Sequence, residues 1–370
     1  MNSILPKFSY VLIGKSFSTG FQAIFYLLFA FFLDPSSYGN LTYFIAIAGT
    51  VSIISRFGFN QSITISQAKN DQKLSNSINI ISIFSCGFAS LFLIFLDPIL
   101  AIFCFSISLF VMNIQNLIGL GKYQKYMWFD IAKGILLVLI PIILFQFFEI
   151  NGIIIGMTIA YLVSSFNFLK SINFSNFSFS LIKNRFNFLL HNFGVDIGNY
   201  APKFFDKLLI FSILDLSSLG IYQLNLQILF ALEVLPMALH SFLLSEKSRG
   251  ISHRTTIILS IIVSILITVA IILISPYIIS IFFPQYVDGI ESLQLLVISL
   301  IPLTINVILY SELQSKESKL VGFSGIIRIV SLLGLILFLS TSFGLFGLSL
   351  SVLLSIILTS IFLYYAYKKI

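Results

Sequence analysis

Charge is scarce in this chain, and cysteine and histidine are scarcer still. Only 9% of the 370 residues are charged, where a soluble domain of ordinary composition carries about a quarter. That shortfall excludes a typical water-soluble globular domain. The two cysteines, Cys86 and Cys104, both lie in apolar runs, which leaves no disulfide or zinc framework. His191, His240 and His253 are widely separated and make no metal-spaced cluster. There is no Walker A loop, no GxGxxG following a strand and no HExxH, so no cofactor and no ATP hydrolysis are expected. The apolar runs also lack the period-2 alternation that a β-barrel needs.

What is present is apolar surface. Hydrophobic residues make up 58% of the chain, and the mean hydropathy is +1.04. Crossing a hydrocarbon core of about 30 Å takes around 20 apolar residues at 1.5 Å per residue. Twelve runs qualify, near 9–33, 41–59, 77–96, 98–118, 131–148, 152–170, 187–214, 218–243, 256–283, 290–311, 320–340 and 343–367. The expectation is an all-α integral membrane protein of twelve transmembrane helices. The first run exceeds a signal-peptide h-region and lacks a small-residue cleavage pattern, so it reads as a retained helix.

The basic residues set the topology. Fifteen of the 21 Lys and Arg lie at the termini or in even-numbered loops, while the odd-numbered loops carry Asp34, Asp97, Glu149, Asp215, Asp288 and Glu291. The positive-inside rule then places both termini in the cytoplasm. An error of one helix would destroy this alternation, so it supports the count as well. The same distribution accounts for the net charge of +7 without a nucleic-acid partner: basic loops of this kind suit an anionic inner leaflet. The odd loops are only a few residues long, which excludes a large external catalytic or receptor domain.

A long internal repeat divides the chain. Leu33-Asp34-Pro35-Ser36-Ser37-Tyr38-Gly39 is echoed 181 residues later by Leu214-Asp215-Leu216-Ser217-Ser218-Leu219-Gly220. Asp97-Pro98 and Ser275-Pro276 echo one another 178 residues apart. The expected domains are an N-terminal six-helix lobe over 1–170, a cytoplasmic linker over 171–186 and a C-terminal six-helix lobe over 187–370. Six helices per lobe means that both enter from the same side, as parallel repeats do.

Charges inside the spans mark the candidate site, because a mid-membrane charge costs about 2.5–3.5 kcal/mol and normally faces water or a partner. In the seventh segment Asn192, Asp196, Asn199, Lys203, Asp206 and Lys207 share one stripe about 100° wide. Gly194, Gly198 and Pro202 interrupt that segment. Subtracting 181 aligns this stripe with Lys15, Ser18, Gln22 and Tyr26 of the first segment. Two such stripes, one per lobe, would line a central cavity. Lys15 lies about 28 Å from the outer-loop aspartate by helical rise, so it either lines that cavity or snorkels to the inner surface. Lys133 opens its segment and reads as interfacial. Arg56, near an inner end, is a cavity cation or an anchor. Lys203 and Asp206 stand at i,i+3 spacing and could instead be a structural ion pair. Glu233 and Arg328 lie near mid-helix, where they pair with each other or with the stripe. The cavity cations Lys15, Arg56, Lys203, Lys207 and Arg328 outnumber Asp196, Asp206 and Glu233. That balance suits an anionic headgroup such as a diphosphate and is wrong for organic cations. Gly152-Ile153-Ile154-Ile155-Gly156 and Gly344-Leu345-Phe346-Gly347 read as sites of close helix packing.

At Leu33-Asp34-Pro35-Ser36-Ser37-Tyr38-Gly39-Asn40-Leu41, followed by an apolar helix and Phe57-Gly58-Phe59, the sequence resembles the amino-terminal signature of bacterial polysaccharide transporters. These are the O-antigen (Wzx-type) lipid-linked oligosaccharide flippases of the multidrug/oligosaccharidyl-lipid/polysaccharide exporter superfamily. Asp206-Lys207 followed by Leu219-Gly220-Ile221-Tyr222, and Phe343-Gly344-Leu345-Phe346-Gly347, resemble that family's second half. The resemblance implies a MATE-like fold. It also implies a non-enzymatic transporter of undecaprenyl-diphosphate-linked sugar units in lipopolysaccharide or capsule synthesis, working by alternating access in the bacterial inner membrane. Lys15, Arg56, Lys203 and Arg328 would then meet the diphosphate-sugar group. The implied partners are the lipid-linked oligosaccharide, the bilayer, a polysaccharide polymerase and a chain-length regulator. An ion-coupled multidrug antiporter is the competing reading, and a polytopic polymerase or transferase stands behind it.

Overall fold

Several of the helices start where an aspartate holds free backbone N–H groups. After α1 (Ile4–Phe32), Asp34 accepts from the N–H groups of Ser36 and Ser37 at 3.0 and 3.1 Å and opens α2 (Pro35–Arg56). Pro35 at the first helical position loses nothing, because its N–H would have had no helical partner. Asp97 caps α5 (Pro98–Gly119) through Ile99 N–H at 2.6 Å and Leu100 N–H at 3.3 Å. Asp215 accepts from Ser218 N–H at 2.9 Å and opens α9 (Leu216–Leu232). Three acids of the odd loops are thus helix caps, placed where the positive end of a helix dipole favours them.

The computed structural model describes residues 4–169, 177–234, 236, 239, 243, 254–315 and 320–369. Between the helices named above lie α3 (Phe59–Ala68), α4 (Gln72–Leu93), α6 (Tyr123–Leu169), α7 (Phe179–Asn184) and α8 (Phe186–Ile213). Beyond α9 come α10 (Arg254–Phe282), a 3₁₀ turn (Pro284–Gly289), α11 (Ile290–Ile298), α12 (Leu300–Ser315), α13 (Leu320–Leu335), a π-helical turn (Ile336–Ser340) and α14 (Thr341–Lys368). Among the described residues, eight helical stretches are long and apolar enough to cross a membrane. Two of them, Tyr123–Phe166 and Phe323–Lys368, break at non-helical residues, Glu149 and Gly344, and each supplies two spans. With α8 and the shorter apolar α9 the described residues supply twelve spans, the number expected from the charge alternation. The stretch 60–76, expected as loop, is not all loop. It contains α3, with Asn60, Ser62 and Ser66 buried.

The repeat is visible in the backbone. Glu149 has φ 51°, ψ −134°, and Gly344 has φ 54°, ψ −131°. Three residues on, Gly152 and Gly347 each leave room for a carbonyl of the preceding span, Leu144 in one case and Leu339 in the other. Both glycines therefore serve close packing, as their spacing suggested. Asn113 donates to the Ser164 carbonyl at 2.9 Å, and Asn306 to the Ile356 carbonyl at 3.3 Å. These pairs occupy equivalent places in the two halves. The fold is therefore all-α, with two parallel repeats of six spans.

Packing gathers the chain into two units, Met1–Phe25 with Phe44–Phe204, and Tyr26–Tyr43 with Phe205–Ile370. The first is centred on Phe59, Ile63, Ile78, Leu109, Met112 and Phe168. The second is centred on Ile210, Tyr222, Leu226, Leu296, Leu348 and Ile356. Large exposed side chains such as Phe95 and Phe338 belong to the lipid-facing surface, where hydrocarbon is the solvent. Buried serines bond back to their own helices, as Ser351 does to the Gly347 carbonyl at 2.7 Å, so small residues can sit inside without an unmade hydrogen bond.

Candidate functional site

Within the first unit, α8 turns its polar residues toward α2 and α3. Gly58, with φ 72°, ends the α2–α3 break and lies so close to α8 that a Cβ would meet the Leu189 carbonyl and the Phe193 amide. A left-handed glycine is what that approach needs. Beside it Phe57 stacks on Phe193 at 4.7 Å and on Phe186 at 5.9 Å. The polar pairs then follow from the register. Asn192 donates to Ser62 Oγ at 2.9 Å, and Asn60 donates to Asp196 Oδ2 at 3.2 Å. Arg56 is 3% exposed, donates through Nη1 to Ser52 Oγ, and lies within electrostatic reach of Asp196. Ser52 continues to Ser108 at 2.8 Å. The cation and the carboxylate compensate one another where neither could be stable alone.

A second cluster in the same unit gathers at the start of α6. Lys133 Nζ donates to Ser18 Oγ at 2.7 Å, lies 3.6 Å from Asp130 and sits over the Phe110 ring at 5.4 Å. Tyr126 donates to Asp130 at 3.2 Å. Lys133 is 6% exposed, and it does not open its helix as expected. The helix begins at Tyr123 rather than near 131, which puts Lys133 three turns deep instead of at an end. Lys15 lies near enough to add its positive charge to that of Lys133, but its own side chain is exposed, as is Gln22.

The second unit holds the remaining buried charges. Lys207 Nζ lies 3.1 and 3.2 Å from the two carboxylate oxygens of Asp206, and Tyr222 donates to Asp206 Oδ2 at 3.2 Å. Arg328 is half-buried and acts electrostatically on the Tyr222 hydroxyl. Asp206 thus pairs with its immediate neighbour, whereas i,i+3 spacing pointed to Lys203, which is exposed. Tyr26 is half-buried near Tyr38, and Glu233 is half-buried at the end of α9. The side chain of Asn199 lies outside the described residues. Within units, then, the structure joins Arg56, Asn192 and Asp196 in one cluster and Asp206, Lys207 and Arg328 in another. Ser18 is drawn to Lys133 and Asp130. Asp130, Asn60 and Ser62 are not singled out by the sequence because they stand in stretches that read as loop or helix end. The i,i+4,i+7 spacing of Tyr126, Asp130 and Lys133 was the available signal.

Comparison with known proteins agrees with this architecture. Residues 4–128 match the family model described as polysaccharide biosynthesis protein. The lipid II flippase MurJ, in an inward closed conformation, superposes with a TM-score of 0.75 at 19% identity, over 99% of this chain and 88% of that one. An inward-facing multidrug resistance MATE family transporter of the MOP superfamily gives 0.73 at 15% identity, over 97% of this chain and 99% of the other. An outward-facing multidrug resistance MATE family transporter of the MOP superfamily gives 0.63 at 15%, over 97% of this chain and 93% of the other. No curated protein sequence matches significantly. The resemblance to polysaccharide transporters drawn from the sequence is borne out, and the fold is the one these multi-pass membrane transporters share.

Proposed function

We propose that this protein is a flippase for undecaprenyl-diphosphate-linked oligosaccharide repeat units of the O-antigen or capsule type. It moves them across the bacterial cytoplasmic membrane by alternating access between two lobes, 1–170 and 187–370, with both termini cytoplasmic. The observation that carries this reading is the match of residues 4–128 to a polysaccharide biosynthesis family, on a fold that a lipid II flippase also adopts. The excess of cations among the intramembrane charges supports it, since a diphosphate is bound through charge-assisted hydrogen bonds. Lys15 and Lys203 are exposed and half-buried Arg328 is partly so, which leaves them the strongest candidates for direct contact with such a group. Buried Arg56 and Lys207 are set beside carboxylates, where they would hold the helices that carry those candidates.

A multidrug antiporter is the second reading, favoured by the MATE neighbours. The two separate cleanly on deletion of the gene. A flippase leaves complete lipid-linked repeat units trapped on the cytoplasmic leaflet and drug susceptibility unchanged; an antiporter does the reverse. Incomplete units would point to a transferase, and single units delivered outside but not polymerised to a polymerase. Charge-assisted hydrogen bonds are worth about 1.5–3 kcal/mol each. Lys203→Gln and Arg328→Gln should therefore lower glycan export at least about tenfold while membrane insertion persists. Undiminished export in both would remove them from the site.

A further inference from the structure

A second basic site adjoins the first of these clusters, sharing Ser62 with it, at the end of the unit where the positively charged loops gather. The end of α3, the turn Lys69-Asn70-Asp71 and the α7–α8 junction enclose a cavity of about 180 Å³. That is room for about six waters at liquid density. Lys69 and Arg185 both line it, together with Ser62 and Ser66 and with the apolar Leu74, Ile78 and Phe188. Its one acid, Asp71, turns a carboxylate oxygen to the Leu74 N–H at 3.1 Å as the cap of α4. Among the described residues neither Lys69 nor Arg185 is held in an ion pair. Two cations thus line one cavity that is part polar and part apolar.

The surroundings fit a headgroup layer. α7 buries Ile182 and exposes Phe179, while Phe177 and Phe186 on either side are 44% and 51% exposed. Lys183 and Arg185 lie between Phe179 and Phe186. A short segment with exposed rings and basic residues lies in the plane of the interface, its rings in the acyl boundary and its charges among phosphates.

We propose that this cavity binds the phosphate of an anionic phospholipid headgroup. Arg185 would grip two phosphate oxygens, Lys69 would supply a second charge, and the glycerol and first methylenes would lie along Leu74 and Phe188. The assignment does not depend on which molecule the protein transports.

The test titrates the full-length detergent-solubilised protein with short-chain phosphatidylglycerol, short-chain phosphatidylcholine and inorganic phosphate, reading saturable binding. Phosphatidylglycerol should bind at least about fivefold tighter than phosphatidylcholine. Arg185→Gln and Lys69→Gln should each erase most of that preference, and Arg185→Lys should restore part of it. Lys125→Gln removes the same charge from an exposed position outside the cavity and should change nothing. Three results would overturn the proposal. These are no preference for the anionic lipid, an equal loss in Lys125→Gln, which means diffuse surface attraction, and inorganic phosphate binding as tightly as the lipid, which means a free-anion site. All substituted positions are exposed, so unchanged melting without lipid shows that the fold is intact.

Discussion

Asp206 and Lys207 are sequence neighbours, and neighbours on a helix normally point apart. Here the lysine folds back so that both carboxylate oxygens receive it, and the Tyr222 hydroxyl completes the carboxylate. Asp206 is 1% exposed and Lys207 5%. Removing one partner from such a pair costs about 3–5 kcal/mol because a buried charge is left uncompensated, whereas removing both is far milder. Asp206→Leu should lower the thermal unfolding midpoint sharply, and Asp206→Leu with Lys207→Met should recover most of the loss. Equal melting of the single and double variants would show that the pair is not coupled. The site was partly legible from such residues. Buried charges are costly enough to stand out in an apolar sequence, so Arg56, Asp196 and Asp206 were found. Helical angles say which way a side chain leaves its own helix, not which neighbour it meets. Hence the cation paired with Asp206 is its immediate neighbour Lys207, and Lys133, expected at a helix end, stands well inside α6.

Turns between spans carry two kinds of constraint, one electrostatic and one conformational. The side-chain hydrogen bond from Ser37, backed by backbone N–H groups, holds the Asp34 carboxyl below the ordinary range, and Ser218 does the same for Asp215. A depressed folded pKa means stability that is complete above the unfolded value, near 3.9, and lost as pH falls through the folded value. Asp34→Ala should cost about 1 kcal/mol as a lost cap, and in acid titrations of unfolding its melting curve should converge with that of the parent below that range. A gap that stays constant down to the lowest pH would mean the carboxylate charge is irrelevant. The conformational constraint concerns Glu149 and Gly344, which share one positive-φ geometry although only one is glycine. Strain of this kind costs about 1–3 kcal/mol in a residue bearing a Cβ. Glu149→Gly should therefore stabilise the protein and Gly344→Ala destabilise it, opposite signs at two equivalent turns. Shifts of the same sign would contradict the equivalence. These turns also show why elements were easier to read than their ends. Apolar length fixes a span, but the chain stays helical by hydrogen bonding through Tyr123–Leu169, and α3 was hidden because ten polar-rich residues cannot be told from a loop by hydropathy.

The repeat makes one contact of the whole molecule symmetrical, and that contact is where the transport reading is most exposed to test. Counting basic residues by loop predicts the number of spans and proposes their sense, because misplacing one helix moves every later charge to the wrong side. The repeat could be read from Leu33–Gly39 and Leu214–Gly220, but not what it builds. In the structure a Cβ on Gly39 would run into the Leu216 carbonyl, and a Cβ on Gly220 into that of Pro35, the residue that 181 places earlier corresponds to Leu216. Each repeat offers the other the same surface, as partners do about a two-fold axis. Glycine is required at both positions because two helix starts cross backbone to backbone. On the proposed orientation this crossing lies at the outer face, so alternating access needs it to separate in half of the cycle. Thr42, about one turn beyond Gly39, is 2% exposed and is a suitable reporter. A Thr42→Cys protein with Cys86 and Cys104 replaced by serine should react slowly with an impermeant maleimide. Adding Gly39→Ala overpacks the crossing by about 1–3 kcal/mol and should speed labelling about tenfold. Gly20→Ala, whose Cβ meets nothing within 4 Å, should leave the rate alone. If Gly39→Ala lowers the melting temperature without faster labelling, the crossing is ordinary packing and the outer seal lies elsewhere.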